Sequence, residues 1–252
     1  LPTASSLVLL VRASTVGVPR ELEMVLLIFT AVAALYSALS WMLAQDVLEA
    51  RPFWILGMAA LAVAAAIRGD SQASQAWGLA LLLCGSFLFL LFPNHNRLLG
   101  LSFLALVSVS ALPFSLTWSG LGIYTTTPGE FSGAVVWIVN GLLFLSHLFI
   151  LLGFLKYALQ MPVEVPPLER WMWLIYPQGL VLLVVIALGL GWSQRPELLQ
   201  VPFYYWIAGL LTLAASVGGW WWGKRSAELQ PVQNTIRRGS VWGTTVWAYL
   251  LS

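Results

Sequence analysis

The residues of this chain that could do chemistry inside apolar segments are few. His147 lies in the middle of an apolar stretch, and Asn140 precedes it by seven residues, which places both side chains on one helix face. Histidine titrates near neutral pH and can relay protons through its ring nitrogens. The alternative is a neutral imidazole that bonds to a neighbouring helix. The sequence leaves both interpretations open.

Two further polar features lie within apolar segments. Pro113 interrupts the longest one, with Ser115 close by, and proline forces a helix to kink or break. A broken helix at membrane depth lines a wet path or is buried in protein; the alternative is an ordinary kink near a helix end. Arg12 is a candidate functional residue, because a charged group inside a span is costly and usually serves a function. The alternative is that Arg12 lies near a helix end, from which its side chain reaches the membrane interface.

The composition explains why so few polar groups stand out. Of 252 residues, 60% are hydrophobic and only 9% are charged, against about 25% charged residues in an ordinary soluble domain. The 22 charged side chains could not cover the surface of a soluble fold of this size. The single cysteine, Cys84, excludes a disulfide framework, and the net charge of +2 does not indicate a nucleic-acid partner. The composition therefore predicts a polytopic membrane protein.

The elements that must position these residues can be located from the charges. Seven windows contain no Asp, Glu, Lys or Arg: 24–45, 52–67, 71–96, 98–129, 131–155, 171–194 and 198–223. Each can supply one helix of about 20 residues, and the apolar runs lack the alternation of barrel strands. With a partial first helix before residue 18, we expect an all-α bundle of about eight spans, one of them broken at Pro113.

The ends of the chain and its basic residues give further expectations. We expect a single membrane domain, 1–252, that is a fragment of a longer chain, because apolar runs begin and stop at the ends. Alternation of the spans puts eight Lys and Arg residues, including those of the 224–238 tail, on one side and three on the other. This asymmetry predicts a cytoplasmic tail. Tryptophans near the span ends, such as Trp41, Trp54 and Trp77, are expected to form interface belts.

Motifs for cofactors and metals are missing from the sequence. It contains no H-E-x-x-H, Walker loop, dinucleotide-binding G-x-G-x-x-G or Cys/His cluster. A haem held by two histidines would need His147 to pair with His95, which lies in a Pro-Asn-His-Asn turn. We therefore predict no cofactor and no metal.

Three stretches, in order, carry a resemblance to a known family. They are PTASSLVLLVRAST at 2–15, ALSWMLAQDVLEAR at 38–51 and LVSVSALPFSLTWS at 106–119. The chain resembles the antiporter-like membrane subunits of NADH:quinone oxidoreductase (complex I) and Mrp-type cation/proton antiporters. The likeness covers residues 1–160, and residues 161–252 hold C-terminal helices and the basic tail. The resemblance implies a non-redox, proton-translocating subunit among other membrane subunits in a prokaryotic plasma membrane.

The departures from the family pattern bear on proton conduction. Gly120 and Leu121 stand where the family has Lys and Asp after its P-P-F-S segment, and Arg12 replaces a histidine. The family's H-x-x-x-H-x-x-x-K helix would fall near 77–85, where both His and the Lys are absent. The candidate proton path is thus reduced to Arg12, Asn140, His147 and Ser115. We expect a degenerate path, and the alternative is a structural or assembly protein without transport activity.

Overall fold

The structure is a computed structural model. It describes residues 2–15, 17–44, 47–90, 99–125, 133–158 and 170–193, together with 206, 209–214, 217–218 and 221. Every regular element in this part of the chain is helical. His95 and the 224–238 basic tail lie outside the described residues, as does most of the last uncharged window. The expected all-α class is confirmed for the described residues.

The helices follow the uncharged windows closely. Their bounds are α1 (Pro2–Ser14), α2 (Arg20–Leu43), α3 (Val47–Ile67), α4 (Ser71–Leu90), α5 (Leu99–Val109), a 3-10 turn (Trp118–Leu121), α6 (Gly122–Thr125), α7 (Ala134–Ala158) and α8 (Arg170–Ser193). Most breaks between the described helices coincide with charged residues, glycines or prolines, because these residues interrupt the apolar runs. Gly69 has a φ of 73° in the tight α3–α4 turn, a conformation that glycine adopts without a Cβ penalty.

Among the described helices, three are long and apolar enough to cross a membrane: Leu22–Leu43, Glu49–Ile67 and Ala134–Tyr157. The outward-facing side chains of this bundle are also apolar, with Phe29 70% and Trp137 74% exposed. Extended apolar surface of this kind marks contact with lipid or another protein. The described helices are therefore those of a membrane protein, while the count of about eight spans stays a prediction.

The core is built on close contact between α2 and its two neighbours, α3 and α7. Ala31, Ala34 and Ala38 of α2 recur at helical spacing and are fully buried. Small side chains let helix backbones approach closely, and the resulting packing favours helix association in lipid. The opposite face of α2 presents Val32 and Tyr36, which are exposed. Helix α2 thus packs against the protein through small side chains and presents large apolar side chains on its outer face.

The buried tryptophans differ from the expected interface belt. Trp41, Trp54 and Trp77 are 0% exposed and lie inside the bundle. Each indole faces a glycine on a neighbouring element, and these glycines are Gly153, Gly85 and Gly120 respectively. A tryptophan and a glycine fill the space between two helices together, because the missing side chain leaves room for the ring. The belt interpretation was wrong for these three residues, although Trp137 and Trp192 are exposed.

Candidate functional site

The α5 helix stops inside the bundle. It ends at Val109, and helical structure resumes only with the 3-10 turn at Trp118. Pro113 lies in the intervening segment and is buried. Ala111 and Phe114 adopt positive φ angles of 56° and 68°, which are uncommon for residues with a Cβ. We call residues 110–117 the break segment.

Side-chain hydroxyls satisfy the backbone of the break segment. The Thr117 hydroxyl donates to the Ser108 carbonyl at 3.1 Å and accepts from the Ala111 N–H at 3.0 Å. The Thr212 hydroxyl donates to the Ser110 carbonyl at 3.3 Å. These residues are buried, so a backbone group left unpaired would carry a large desolvation cost. The polar residues around Pro113 therefore stabilise an irregular backbone at depth.

His147 projects from α7 onto the end of α5. Its side chain is 0% exposed, and its Nε2 lies 2.8 Å from the Val109 carbonyl oxygen. Its Nδ1 lies 3.0 Å from the hydroxyl oxygen of Tyr124 on α6. The Trp77 ring meets the imidazole edge to face, with centroids 4.9 Å apart. Both ring nitrogens of this buried histidine are therefore engaged.

A second polar group gathers at the α3–α4 turn. The guanidinium of Arg68 donates to the Asn140 Oδ1 at 2.5 Å and to the Ile123 carbonyl. Burial lowers the pKa of Arg68 to about 10, although the negative charge of Glu23 on α2 raises it. A lowered pKa means that desolvation of the cation outweighs this attraction. Arg68 thus joins the α3–α4 turn to α6 and α7.

These groups form two hydrogen-bonded clusters that follow one another into the bundle and are joined by the covalent step from Ile123 to Tyr124. Arg68 bonds to Asn140 and to the residue before Tyr124, and Tyr124 bonds to His147. Asn140 and His147 lie on one face of α7, about 10 Å apart at 1.5 Å per residue. We call Arg68, Asn140, Tyr124 and His147 the polar track. It runs from the α3–α4 turn to the end of α5 at Val109.

Other polar contacts lie at the opposite end of α7. The ammonium of Lys156 donates to the carbonyls of Met42 at 3.0 Å and Ala44 at 2.6 Å. The Tyr157 hydroxyl also donates to the Ala44 carbonyl, at 2.7 Å. The last carbonyls of a helix have no partner within it, and a cation there also suits the helix dipole. Lys156 and Tyr157 therefore cap the carboxyl end of α2.

An aromatic layer separates this cap from the polar track. Trp54 lies 5.2 Å from Trp41 and 5.8 Å from Phe154, measured between ring centroids, and all three side chains are fully buried. The indole N–H of Trp41 donates to the Ile150 carbonyl at 3.1 Å, so the ring is fixed against α7. Between His147 and Lys156, this face of α7 is covered by apolar rings. Among the described residues, the polar track ends at Val109, next to the break segment.

The structure brings together only part of the sequence-predicted site. Asn140 and His147 share the polar track, and Pro113 and Ser115 lie in the break segment, which follows the Val109 carbonyl that His147 contacts. The Ser115 hydroxyl is buried without a hydrogen-bond partner among the described residues. Arg12 is exposed on α1, which packs mainly against α4 and α3. It does not belong to the track.

Sequence reasoning missed Arg68, Tyr124 and Trp77 as partners of the site. Arg68 stood out only as a basic residue in a short turn, and Tyr124 lies at the end of a long apolar window. Their partners are 72 and 23 residues away, so neither pair has a local spacing signal.

The described residues contain no group of three or more His, Cys, Asp or Glu that could hold a metal ion. Comparison of the chain with protein-family models, with curated proteins and with solved structures gives no match.

Proposed function

We propose that this chain is a membrane subunit of a proton-translocating NADH:quinone oxidoreductase-like complex or a cation/proton antiporter complex. In this proposal its described helices carry a degenerate proton path, and its partners are the other membrane subunits. The complex lies in a prokaryotic plasma membrane with the basic tail of this chain in the cytoplasm. Any electron transfer belongs to the partner subunits, because the sequence contains no cofactor motif.

The observation that carries the proposal is the polar track leading to a helix that stops inside the bundle. Charged and titratable groups at membrane depth are costly and usually mark ion pathways. Broken helices at that depth are tolerated where they are buried or line a path. The order of the three sequence motifs around this feature adds to the support.

The proton path is degenerate because the polar track ends at His147 and Val109 and does not reach the other end of the bundle. Beyond His147, the described residues of the aromatic layer (Trp41, Trp54 and Phe154) have no side chain that can relay a proton toward Lys156. A proton wire needs donors and acceptors within hydrogen-bond reach of one another. This favours a second candidate as well, a structural or assembly protein that holds such a complex together without transporting ions.

Proton uptake by vesicles that hold the whole complex tests the proposal. Complexes with and without this chain are compared, and the uptake rate is normalised to the amount of assembled complex. We expect loss of coupled uptake when the chain is absent, because in this proposal the chain couples its partner subunits even though the path through its described helices is degenerate. A normal rate per assembled complex, with less complex assembled, would instead support the structural candidate.

His147→Gln provides the test of degeneracy in the same vesicles. Glutamine cannot titrate, so a relay through this position would stop. A degenerate path predicts uptake within about twofold of wild type, which is a small change on the scale where tenfold corresponds to about 1.4 kcal/mol. Loss of uptake in an assembled complex would mean that His147 relays protons.

A further inference from the structure

We propose that His147 is a positioning residue that completes the hydrogen bonding of the broken α5 helix. Its ring supplies the donor that the backbone lacks at the break. This role concerns the architecture of the bundle and holds for either transport or structural function.

The need for such a donor follows from the position of Pro113. In an α-helix, the carbonyl of one residue accepts from the N–H four residues later. For Val109 that later residue is Pro113, which has no N–H. Val109 is 0% exposed, so water does not reach it from the surface. A proline-terminated buried helix therefore creates a carbonyl that must find a donor elsewhere.

The imidazole meets this need in one tautomer only. A carbonyl oxygen only accepts, so at 2.8 Å the Nε2 of His147 carries the hydrogen and donates it to Val109. In the neutral ring Nδ1 then accepts, and the Tyr124 hydroxyl donates to it across 3.0 Å. Tyr124 thus selects the tautomer, and the edge contact with Trp77 orients the ring. Three elements fix the donor toward one carbonyl.

The same geometry explains why the polar track ends here. The hydrogen on Nε2 points at a backbone carbonyl, which is too weakly basic to take a proton onward. The ring therefore ties α7 to the end of α5 and offers no onward acceptor in this conformation. Histidine suits this buried position because its ring supplies a hydrogen-bond donor, which an aromatic hydrocarbon ring could not supply.

Thermal unfolding of the full chain in detergent separates the donor from the ring. In His147→Gln the side-chain amide nitrogen can take the place of Nε2 and still donate to Val109, although the Tyr124 hydroxyl loses its Nδ1 acceptor, whereas His147→Phe removes both hydrogen bonds. We expect a Tm about 4 °C lower for the Phe variant and a loss of about half that size for the Gln variant. Ser146→Ala is the matched control on α7, because this buried hydroxyl bonds only within its own helix at Leu142. It should stay within about 1 °C of wild type.

Nitrogen NMR of the imidazole reports which ring nitrogen carries the hydrogen, which a stability measurement does not show. The chain has two histidines, so a His95→Gln variant leaves His147 as the only labelled ring. At pH 7 we expect the neutral form with the hydrogen on Nε2. The proposal is overturned if the ring carries the hydrogen on Nδ1 or is an imidazolium, or if the Gln variant loses as much stability as the Phe variant.

Discussion

Arg68 illustrates how single residues organise the interior of this bundle. Its guanidinium reaches a carbonyl on α6 and a side-chain amide on α7, and the negative charge of Glu23 on α2 raises its pKa, which burial lowers. The planar guanidinium presents several donors in fixed directions, which suits two acceptors on different elements. Burial of the cation is costly on its own, so these contacts are what allow it to lie there.

Replacing Arg68 by Met should destabilise the chain because it removes both hydrogen bonds and leaves the buried Asn140 Oδ1 without this donor. Hydrogen bonds to charged groups contribute about 1.5–3 kcal/mol, although relief of the desolvation cost offsets part of this. We expect a Tm lower by about 4 °C in detergent. Arg12→Met is the matched control, since Arg12 is exposed, and it should change Tm by less than about 1 °C. Equal effects of the two substitutions would contradict the role given to Arg68.

At the scale of the element, the break in α5 depends on its hydroxyls as well as on proline. Two residues of the break segment have positive φ angles, and such residues cost about 1–3 kcal/mol each unless their surroundings hold them. Thr117 bonds to the backbone on both sides of the break. The segment is therefore held by its own side chains and by neighbouring helices.

Thr117→Val tests this directly, because valine has almost the same shape but no hydroxyl. The Ala111 N–H loses its partner, whereas the Ser108 carbonyl keeps the bond from the backbone N–H of residue 117, and an unsatisfied buried group costs about 1–3 kcal/mol. Thr30→Val on α2 is the control, since that hydroxyl bonds only to the Leu26 carbonyl of its own helix. Chemical denaturation should show the larger loss at Thr117. A loss as small as that of the control would mean that the break segment does not depend on this hydroxyl.

The contact between α2 and α7 depends on Gly153. A Cβ at this position would overlap the Trp41 indole, whose N–H is bonded to α7 at Ile150. Gly153→Ala should therefore destabilise the chain by about 1–3 kcal/mol through overpacking. Gly141 lies on the same helix with nothing near its absent Cβ, so Gly141→Ala should be neutral or stabilising. Equal unfolding free energies for the two variants would rule out a tight Trp41–Gly153 contact.

Particular residues show which parts of this structure can be predicted from sequence. The uncharged windows located most helices because charges are costly inside apolar spans, whereas prolines did not mark helix ends at Pro52 and Pro177, which lie inside α3 and α8. The shared face of Asn140 and His147 followed from helical spacing. The burial of Trp41, Trp54 and Trp77 could not be predicted, because hydrophobicity alone does not distinguish a side chain that faces lipid from one that faces another helix. The bonds of Arg68 and Tyr124 join distant segments, and no local pattern encodes them.

At the scale of the whole molecule, the two ends of the bundle differ. The end that contains Arg68 leads through polar contacts to His147, whereas the other end is closed by the aromatic layer and by the Lys156 cap. This asymmetry agrees with the proposal that the chain belongs to an ion-translocating complex while its own proton path is degenerate. It also places the most polar part of the interior next to the break in α5.

The measurement that tests the central proposal most directly is proton uptake by vesicles that hold the whole complex, with and without this chain. The rate must be expressed per assembled complex, so that a loss of assembly is not mistaken for a loss of transport. The proposed function predicts that coupled uptake is lost when the chain is removed. An unchanged rate per assembled complex would contradict it.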